Sequence, residues 1–360
     1  MLHTLDLIFG FAIRIGFLIF VHELGHYFAA RSQGVTVEVF SIGFGPALLK
    51  YKAKSGTQWQ ISALPLGGYV KMQGWGEPEP GTAVASAPGS FSAASLSSKA
   101  VIVAAGPMAN LGLAVLLYAG LFMSAGQPTT PAVFSAVEHG SAAATAHLQP
   151  GDRVLAIGGM AVRDFAALQD VVVAHPNTEL DFTVARAGKS FTESVQIGEA
   201  TADGQSIGHL GVEAAPVFTR LGPLPAVAAA FQTTGGIIAS WGTQMGQLLF
   251  QHKGLSELSG PIGIAQITGK VAAMGWAPLI DLLAFLSINL GLVNLIPIPI
   301  LDGGHLLFYG WEAVMRRKVS EKARDMGLRF GAALILTLFL VTTFNDLSRL
   351  GAVAWLTHLL

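Results

Sequence analysis

Four stretches of the chain are apolar over lengths that match a bilayer: about Leu5–Ala29, Ala100–Ala125, Ala277–Ile300 and Leu328–Asn345. A helix crosses the hydrocarbon layer in roughly 17–25 residues, so each is expected to span. The first is interrupted by Arg14 and by a polar cluster near its end; the second carries no charge between Lys99 and Glu138, and the third none between Asp281 and Asp302. The start of the chain shows no basic region or small-residue cleavage site, so the first segment reads as a retained span. Orientation follows from Lys and Arg. Arg31, Lys50, Lys52, Lys54, Lys71 and Lys99 lie between spans one and two, and Arg316, Arg317, Lys318, Lys322 and Arg324 between spans three and four. Both regions are expected in the cytoplasm and the long region between spans two and three outside. A fifth apolar stretch, Leu224–Phe250, is uncharged but holds Gln, Thr and Ser throughout. As a span it would invert everything after it, so it is expected to lie along the outer membrane surface or against the bundle.

Between the spans the pattern changes. From about Thr130 to Ala215, "DRVLAIGGMAV" reads as strand, Gly-Gly turn and strand, "DFAALQDVVVAH" as a short amphipathic helix, and "LDFTVARAGKSFTESVQI" as a hairpin about Gly188. With the small helix of "SAAATAHLQPGDRV", this order resembles a bacterial PDZ domain. Residues 35–76 are rich in β-branched and aromatic residues and glycine, and "QWQISALPLGGYVKM" reads as strand, Gly67-Gly68 turn, strand. Residues 77–98 are a Pro/Ser/Ala/Gly linker.

Composition agrees with a membrane protein: 52% hydrophobic, 12% charged, mean hydropathy +0.55. A net charge of −1 offers no electrostatic footing for nucleic acid. Cysteine is absent, so any metal must be held by His, Asp or Glu.

The polar cluster in the first span is H-E-L-G-H. On a helix, His22 and His26 are one turn apart and face one ion. Glu23 sits beside the first ligand, where a base for an activated water belongs. Ionisable groups within a span are costly, roughly 2.5–3.5 kcal/mol each on insertion scales, which strengthens the motif beyond a chance match. A catalytic zinc takes a third protein ligand. A third histidine placed as in metzincins is excluded, because Ala29 and Ser32 stand where Gly and His would be needed. Asp302 is the candidate, in "NLGLVNLIPIPILDGGH", where Pro297 and Pro299 break the third span. His305 is a rival, and Asp302 could instead cap the following helix. Spans one and three run in the same direction, which brings His22, His26 and Asp302 to one depth. "AAGPMANLG" in the second span lies at that depth, and Gly106 and Pro107 there would let backbones approach closely. Asn110 reads as a hydrogen-bonding partner or as polar glue between helices, and Asn294 as a substrate contact or a packing residue.

H-E-L-G-H in the first span, G-P-M-A-N in the second and N-L-I-P-I-P-I-L-D-G-G in the third, with a PDZ-like insertion, together resemble the site-2 protease family over nearly the whole chain. The bacterial RseP-type branch is the most similar, and "SGPIGIAQ" at Ser259–Gln266 resembles that family's segment before the third span. The resemblance implies one zinc ion per chain held by His22, His26 and Asp302, with Glu23 as general base. It implies that "LPLGGYVKM" is a membrane-dipping β element pairing with substrate. Substrate contacts are then expected at Asn294, Gly67, Gly68, Tyr69 and Asn110. Enterobacterial members carry two PDZ domains and this chain has room for one.

The expected architecture is a polytopic α-helical membrane protein with four transmembrane helices, a membrane-associated β element and an inserted extracytoplasmic α+β PDZ domain. In order these are residues 1–29 (span one), 30–98 (cytoplasmic, membrane-dipping β region and linker), 99–125 (span two), 130–215 (PDZ), 216–275 (surface helical segment), 276–304 (span three), 305–327 (cytoplasmic loop), 328–346 (span four) and 347–360 (tail). The expected activity is zinc-dependent intramembrane endopeptidase in a bacterial inner membrane. Its partners would be the lipid bilayer and single-span membrane proteins, such as anti-sigma factors already trimmed outside. The PDZ domain would exclude bulky outer domains or bind a new C-terminal peptide, with "PAVFSAV" at Pro131–Val137 as part of its groove. Two other classes compete. A transporter would use a Pro-broken span with an acidic residue but has no need of Glu23 between two histidines. A catalytically silent PDZ scaffold would need no zinc.

Overall fold

The computed structural model describes residues 2–75, 87–202, 205–251 and 260–349. The chain divides into two compact units, Met1–Leu121 with Pro223–Leu360, and Phe122–Gly222. Parts of three sequence expectations lie outside the described residues: 77–86 of the 77–98 linker, Ser259, and 350–360 of the 347–360 tail.

The first unit opens with α1, Leu2–Ser32. It stops at Gly34, whose φ of +76° is a conformation open to glycine. Val35 N–H donates to Ala30 O and Gly34 N–H to Arg31 O, the paired bonds that satisfy the last carbonyls of a helix. Strands β1, Val37–Lys52, and β2, Gln58–Met72, follow. Here the expected hairpin about Gly67-Gly68 is not what forms. Residues 39–42 of β1 pair with 68–71 and also with 58–61, while 47–52 pair with 58–62. The two arms of "QWQISALPLGGYVKM" therefore flank β1 instead of pairing with each other. A strand has two hydrogen-bonding edges, and the first half of β1 uses both. That leaves residues 68–72 at an edge with no further strand partner among the described residues. Helix α2, Leu96–Ser124, contains Pro107. Phe40, Val37, Met72, Ile102 and Val103 are buried together where β1, β2, α1 and α2 meet.

The second unit is α+β. Strands β3 (Gln127–Thr129) and β4 (Ala136–Val137) lead to α3, Ala142–Thr145, capped by the Ser141 side chain. Next come β5 (Arg153–Ile157), β6 (Met160–Ala161) and α4, Phe165–Val173, capped by Asp164. Then follow β7 (Glu179–Arg186), β8 (Lys189–Gln196), β9 (Gly198–Ala202), β10 (Gln205–His209), β11 (Val212–Glu213) and β12 (Val217–Thr219). Four strands form one antiparallel sheet in the order β6-β5-β7-β8. Its two tight turns carry positive φ at both central residues, Gly158-Gly159 and Ala187-Gly188, as two-residue hairpins require. Phe134, Val154, Ile157, Leu168, Phe182 and Val184 make its core. The strand expected at Pro131–Val137 shrinks to β4 plus a single bridge from Val133 to Arg153; Pro131 has no N–H to give to a ladder.

Back in the first unit, α5 covers Pro223–Gln251, α6 Pro261–Ala273, α7 Trp276–Leu295, α8 Asp302–Met315 and α9 Glu321–Arg349. Among the described residues, four helices are long and apolar enough to cross a membrane: α1 from Gly10, α2, α7 and α9. The stretch 224–250 is helical, packs against α7 and is not one of the four. Two expectations shift. The third apolar segment stays helical only to Leu295, because Pro297 and Pro299 cannot continue the ladder. The region expected as a cytoplasmic loop, 305–327, is largely helical, in α8 up to Met315 and in α9 from Glu321. Gly331 and Gly327 of α9 pack on the intervening turn, where a Cβ at Gly331 would lie 3.2 Å from Ile300 N and one at Gly327 3.3 Å from Pro299. At the far end of α9, buried Asp346 accepts from the N–H groups of Gly260 (3.0 Å) and Gly263 (2.8 Å). It supplies the first turn of α6 with the cap that Gly260 lacks.

Candidate metal centre

His22 and His26 leave α1 on one face, both less than a tenth exposed. Asp302 arrives from the start of α8, where the helix dipole favours a carboxylate. Its position depends on the two glycines after it. A Cβ on Gly303 would fall 2.3 Å from Leu295 O, and one on Gly304 2.2 Å from Ile298 O. Only glycine lets the turn fold back so tightly onto the end of α7.

The three side chains converge. His22 Nε2 lies 3.1 Å and His26 Nε2 3.5 Å from Asp302 Oδ2, and the two nitrogens are 3.2 Å apart. Asp302 Oδ2 is buried without a hydrogen-bond partner among the described residues. Donors held at 2.0–2.2 Å by one tetrahedral ion stand roughly 3.3 Å from one another. The spacing, the donor set and the orphaned oxygen therefore all fit a single small divalent cation. Among the described residues this is the one His/Asp/Glu cluster with such a geometry. His305 is not part of it; its ring packs against Trp75, centroids 5.5 Å apart.

Neighbouring groups hold the rings. His26 Nδ1 donates to Ile102 O at 2.9 Å, leaving Nε2 as the free lone pair. Asn110 Nδ2 lies 3.2 Å from His22 Nδ1, and Ser287 Oγ of α7 donates to Asn110 O at 2.8 Å. Helix α2 comes close enough for this because its contact residues are small. A Cβ on Gly25 would meet Ala105 O at 2.3 Å, and one on Gly106 would meet His26 Nε2 at 2.3 Å and His22 Nε2 at 2.8 Å.

Beside the cluster is a cavity of about 270 Å³ lined by His22, Glu23, His26, Gly68, Tyr69, Val70, Met72, Trp75, Asn294, Ile300, Leu301 and Asp302. Glu23 faces the β edge: a Cβ on Gly68 would sit 3.1 Å from Glu23 Cγ and 2.8 Å from Ser41 O. Asn294, Gly68 and Tyr69, expected as substrate contacts, line this cavity. Asn110 does not; it is fully buried against His22. Gly67 does not either, and has φ +119° with Phe44 against it. Asn294 also donates to Leu290 O one turn back at 3.0 Å. Met72, Trp75, Ile300 and Leu301 were not singled out from sequence, because apolar residues in an apolar chain carry no distinguishing mark. The Ile102 carbonyl was invisible for a different reason, being backbone.

Comparison with known proteins agrees with this geometry. The family model described as "Peptidase family M50" matches residues 10–338. A protein of Agrobacterium fabrum named "Putative zinc metalloprotease Atu1380" is 38% identical over 362 residues, covering 94% of this chain and 95% of its own length. "Metalloprotease MmpA" of Caulobacter vibrioides is 34% identical over 390 residues, covering 94% and 96%. Among solved structures, the PDZ domain of an SdrC-like protein from Listeria monocytogenes is 15% identical with a TM-score of 0.21, covering 23% of this chain and 85% of that one. With a family match across most of its length and full-length relatives above 30% identity, the chain belongs to peptidase family M50.

Proposed function

We propose that the protein is a zinc-dependent endopeptidase that cleaves single-span membrane proteins within or next to the bilayer. One observation carries the reading: Glu23 and the His22–His26–Asp302 cluster share a cavity with an unpaired strand edge, in a unit built around four apolar helices. The relatives named as zinc metalloproteases support zinc as the ion. Bound at the cluster, zinc would lower the pKa of a water to about 7 and polarise a carbonyl.

The chain's own groups do the rest. His22, His26 and Asp302 would hold the ion. Glu23, one residue from a ligand and lining the cavity, would take a proton from the attacking water and return it to the leaving amine. A helical substrate hides its scissile carbonyl in its own backbone bonds. The free edge at Gly68–Met72 could replace those bonds by strand addition, and the missing side chain at Gly68 keeps that edge next to Glu23. Asn294 would orient the unwound backbone. Under this reading α1, α2, α7 and α9 cross a bacterial inner membrane, the Lys- and Arg-rich segments face the cytoplasm, and the inserted unit is an extracytoplasmic PDZ domain that screens substrates by size or by a newly made C-terminus. Trimmed anti-sigma factors are one such substrate class.

The test is cleavage, by the purified full-length chain, of a single-span substrate whose outer domain has been removed. Wild-type protein should cut it within the apolar segment, a zinc chelator should stop the reaction, and Glu23→Gln should be inactive with zinc still bound. Zinc-loaded protein that leaves such substrates intact, or cuts as well with Glu23→Gln, would overturn the proposal.

A further inference from the structure

We infer that Asn110 is a positioning residue for His22, and that its side-chain amide turns over when metal is bound. The inference rests on the metal reading above and adds a residue to it. For His26 the tautomer is settled, since Nδ1 donates to Ile102 O and Nε2 is left with its lone pair. For His22 the partner is an amide, which offers a donor or an acceptor according to which way it faces.

With Asn110 Nδ2 against His22 Nδ1 at 3.2 Å, the amide donates and Nδ1 holds the lone pair. The ring proton is then on Nε2, the atom that faces His26 Nε2 and Asp302 Oδ2. That arrangement is consistent without an ion and incompatible with ligation through Nε2. A neutral imidazole that gives its Nε2 lone pair to a metal carries its proton on Nδ1 and needs an acceptor there. Asn110 has one in place: Oδ1 is buried and without a hydrogen-bond partner among the described residues. A half-turn of the amide exchanges nitrogen and oxygen within the same envelope, and Nδ1–H then donates to Oδ1. Asn110 is wholly buried, and its backbone is pinned by Ser287 Oγ at 2.8 Å, so the acceptor stays at the ring. A position that looked like a substrate contact thus sets which nitrogen of His22 meets the ion.

Zinc dissociation constants, measured on the full-length chain in detergent by competition with a chelator, test this. Asn110→Leu keeps the volume and loses the acceptor; zinc should bind about 10–100-fold more weakly, the usual cost of losing a partner behind a ligating histidine. Asn110→Asp keeps an acceptor and loses the donor, so its affinity should equal or exceed wild type. Selective ¹⁵N-histidine NMR of the zinc-loaded wild type should show His22 protonated at Nδ1. The inference is overturned if Asn110→Leu binds zinc as wild type does, if Asn110→Asp is as weak as the leucine variant, or if His22 carries its proton on Nε2. Should Asn110→Leu fail to fold, the aspartate variant and the NMR signature decide alone. A wild-type chain that binds no zinc would overturn the metal reading itself, whereas tight wild-type binding indifferent to residue 110 would remove only this inference.

Discussion

Gly106→Ala adds a single methyl group and should disable the metal centre. Its Cβ would stand 2.3 Å from His26 Nε2, 2.5 Å from His26 Cε1 and 2.8 Å from His22 Nε2. Non-bonded heavy atoms settle at about 3.5–4.0 Å, so α2 must retreat by roughly 1 Å or the rings must turn. Neither relieves the site. His26 is tied to Ile102 O and His22 to Asn110, both on α2, so a retreating helix drags the rings with it. Overpacking of this kind costs about 1–3 kcal/mol; borne wholly by the metal-bound state, that corresponds to roughly 5–150-fold in zinc affinity. A methyl in place of glycine meanwhile favours the helix itself by about 1 kcal/mol. Zinc affinity should therefore fall, while in the metal-free chain the helix gain offsets part of any overpacking cost that remains there. Gly112→Ala on the same helix is the control, since nothing lies within 4 Å of its added methyl. Zinc binding by chelator competition and thermal unfolding of both variants check the reasoning. Wild-type affinity in Gly106→Ala would refute it.

Asp302→Ala should lose zinc and cleavage together; zinc held at full affinity would point to another third ligand. Gly68→Val should leave zinc content unchanged and slow cleavage at least tenfold, because the new side chain meets Ser41 O and Glu23 on the edge offered to substrate; wild-type turnover would argue against strand addition. In the inserted unit, Arg186 clamps fully buried Asp152 through Nε–Oδ1 and Nη2–Oδ2, both 2.7 Å. Arg186→Ala should destabilise that unit by about 1–3 kcal/mol, the cost of losing charge-assisted hydrogen bonds to a carboxylate still held by the Gln149 N–H, read as faster hydrogen exchange across β5 and β7. Burial pushes the Asp152 carboxyl up, but the Arg186 hydrogen bonds and the Gln149 N–H outweigh it and hold it below 3.8. A depressed carboxylate stabilises the fold above its unfolded pKa, and that contribution is lost as pH falls through the folded value. Exchange in the unit should therefore accelerate below about pH 4, and acceleration already at pH 6 would rule out Asp152 as the cause.

The parts of the site legible in the sequence are those that obey a period or break one. The one-turn spacing of His22 and His26 places them on one face of any helix, and Pro297 and Pro299 mark where backbone must leave the helix before Asp302. Turn glycines at 158, 159 and 188 announce their hairpins in the same way. What stayed hidden is what depends on partners far along the chain. The arms of 58–72 read locally as a hairpin, and only the two free edges of β1 decide otherwise. The helical character of 302–315 was obscured by Gly303, Gly304 and Gly310, by the basic cluster just after it and by the prolines just before it. Asn110 reads as substrate contact or helix glue until its depth and its neighbour His22 are known. No local pattern signals that Gly106 abuts two imidazoles.

The Asp346 cap has a consequence for how the chain is made. Residues 260 and 346 are joined by hydrogen bonds, so α6 emerges from the ribosome long before its cap is synthesised. Helix α6 also packs against α1, the helix that carries both histidines. During synthesis the bundle therefore waits with an open helix terminus until the end of α9 arrives. A nascent chain stopped before residue 346 would hold His22, Glu23, His26 and Asp302, yet lack the group that caps α6. The start of α6 is thus completed by α9, a helix that contributes no side chain to the His22–His26–Asp302 cluster.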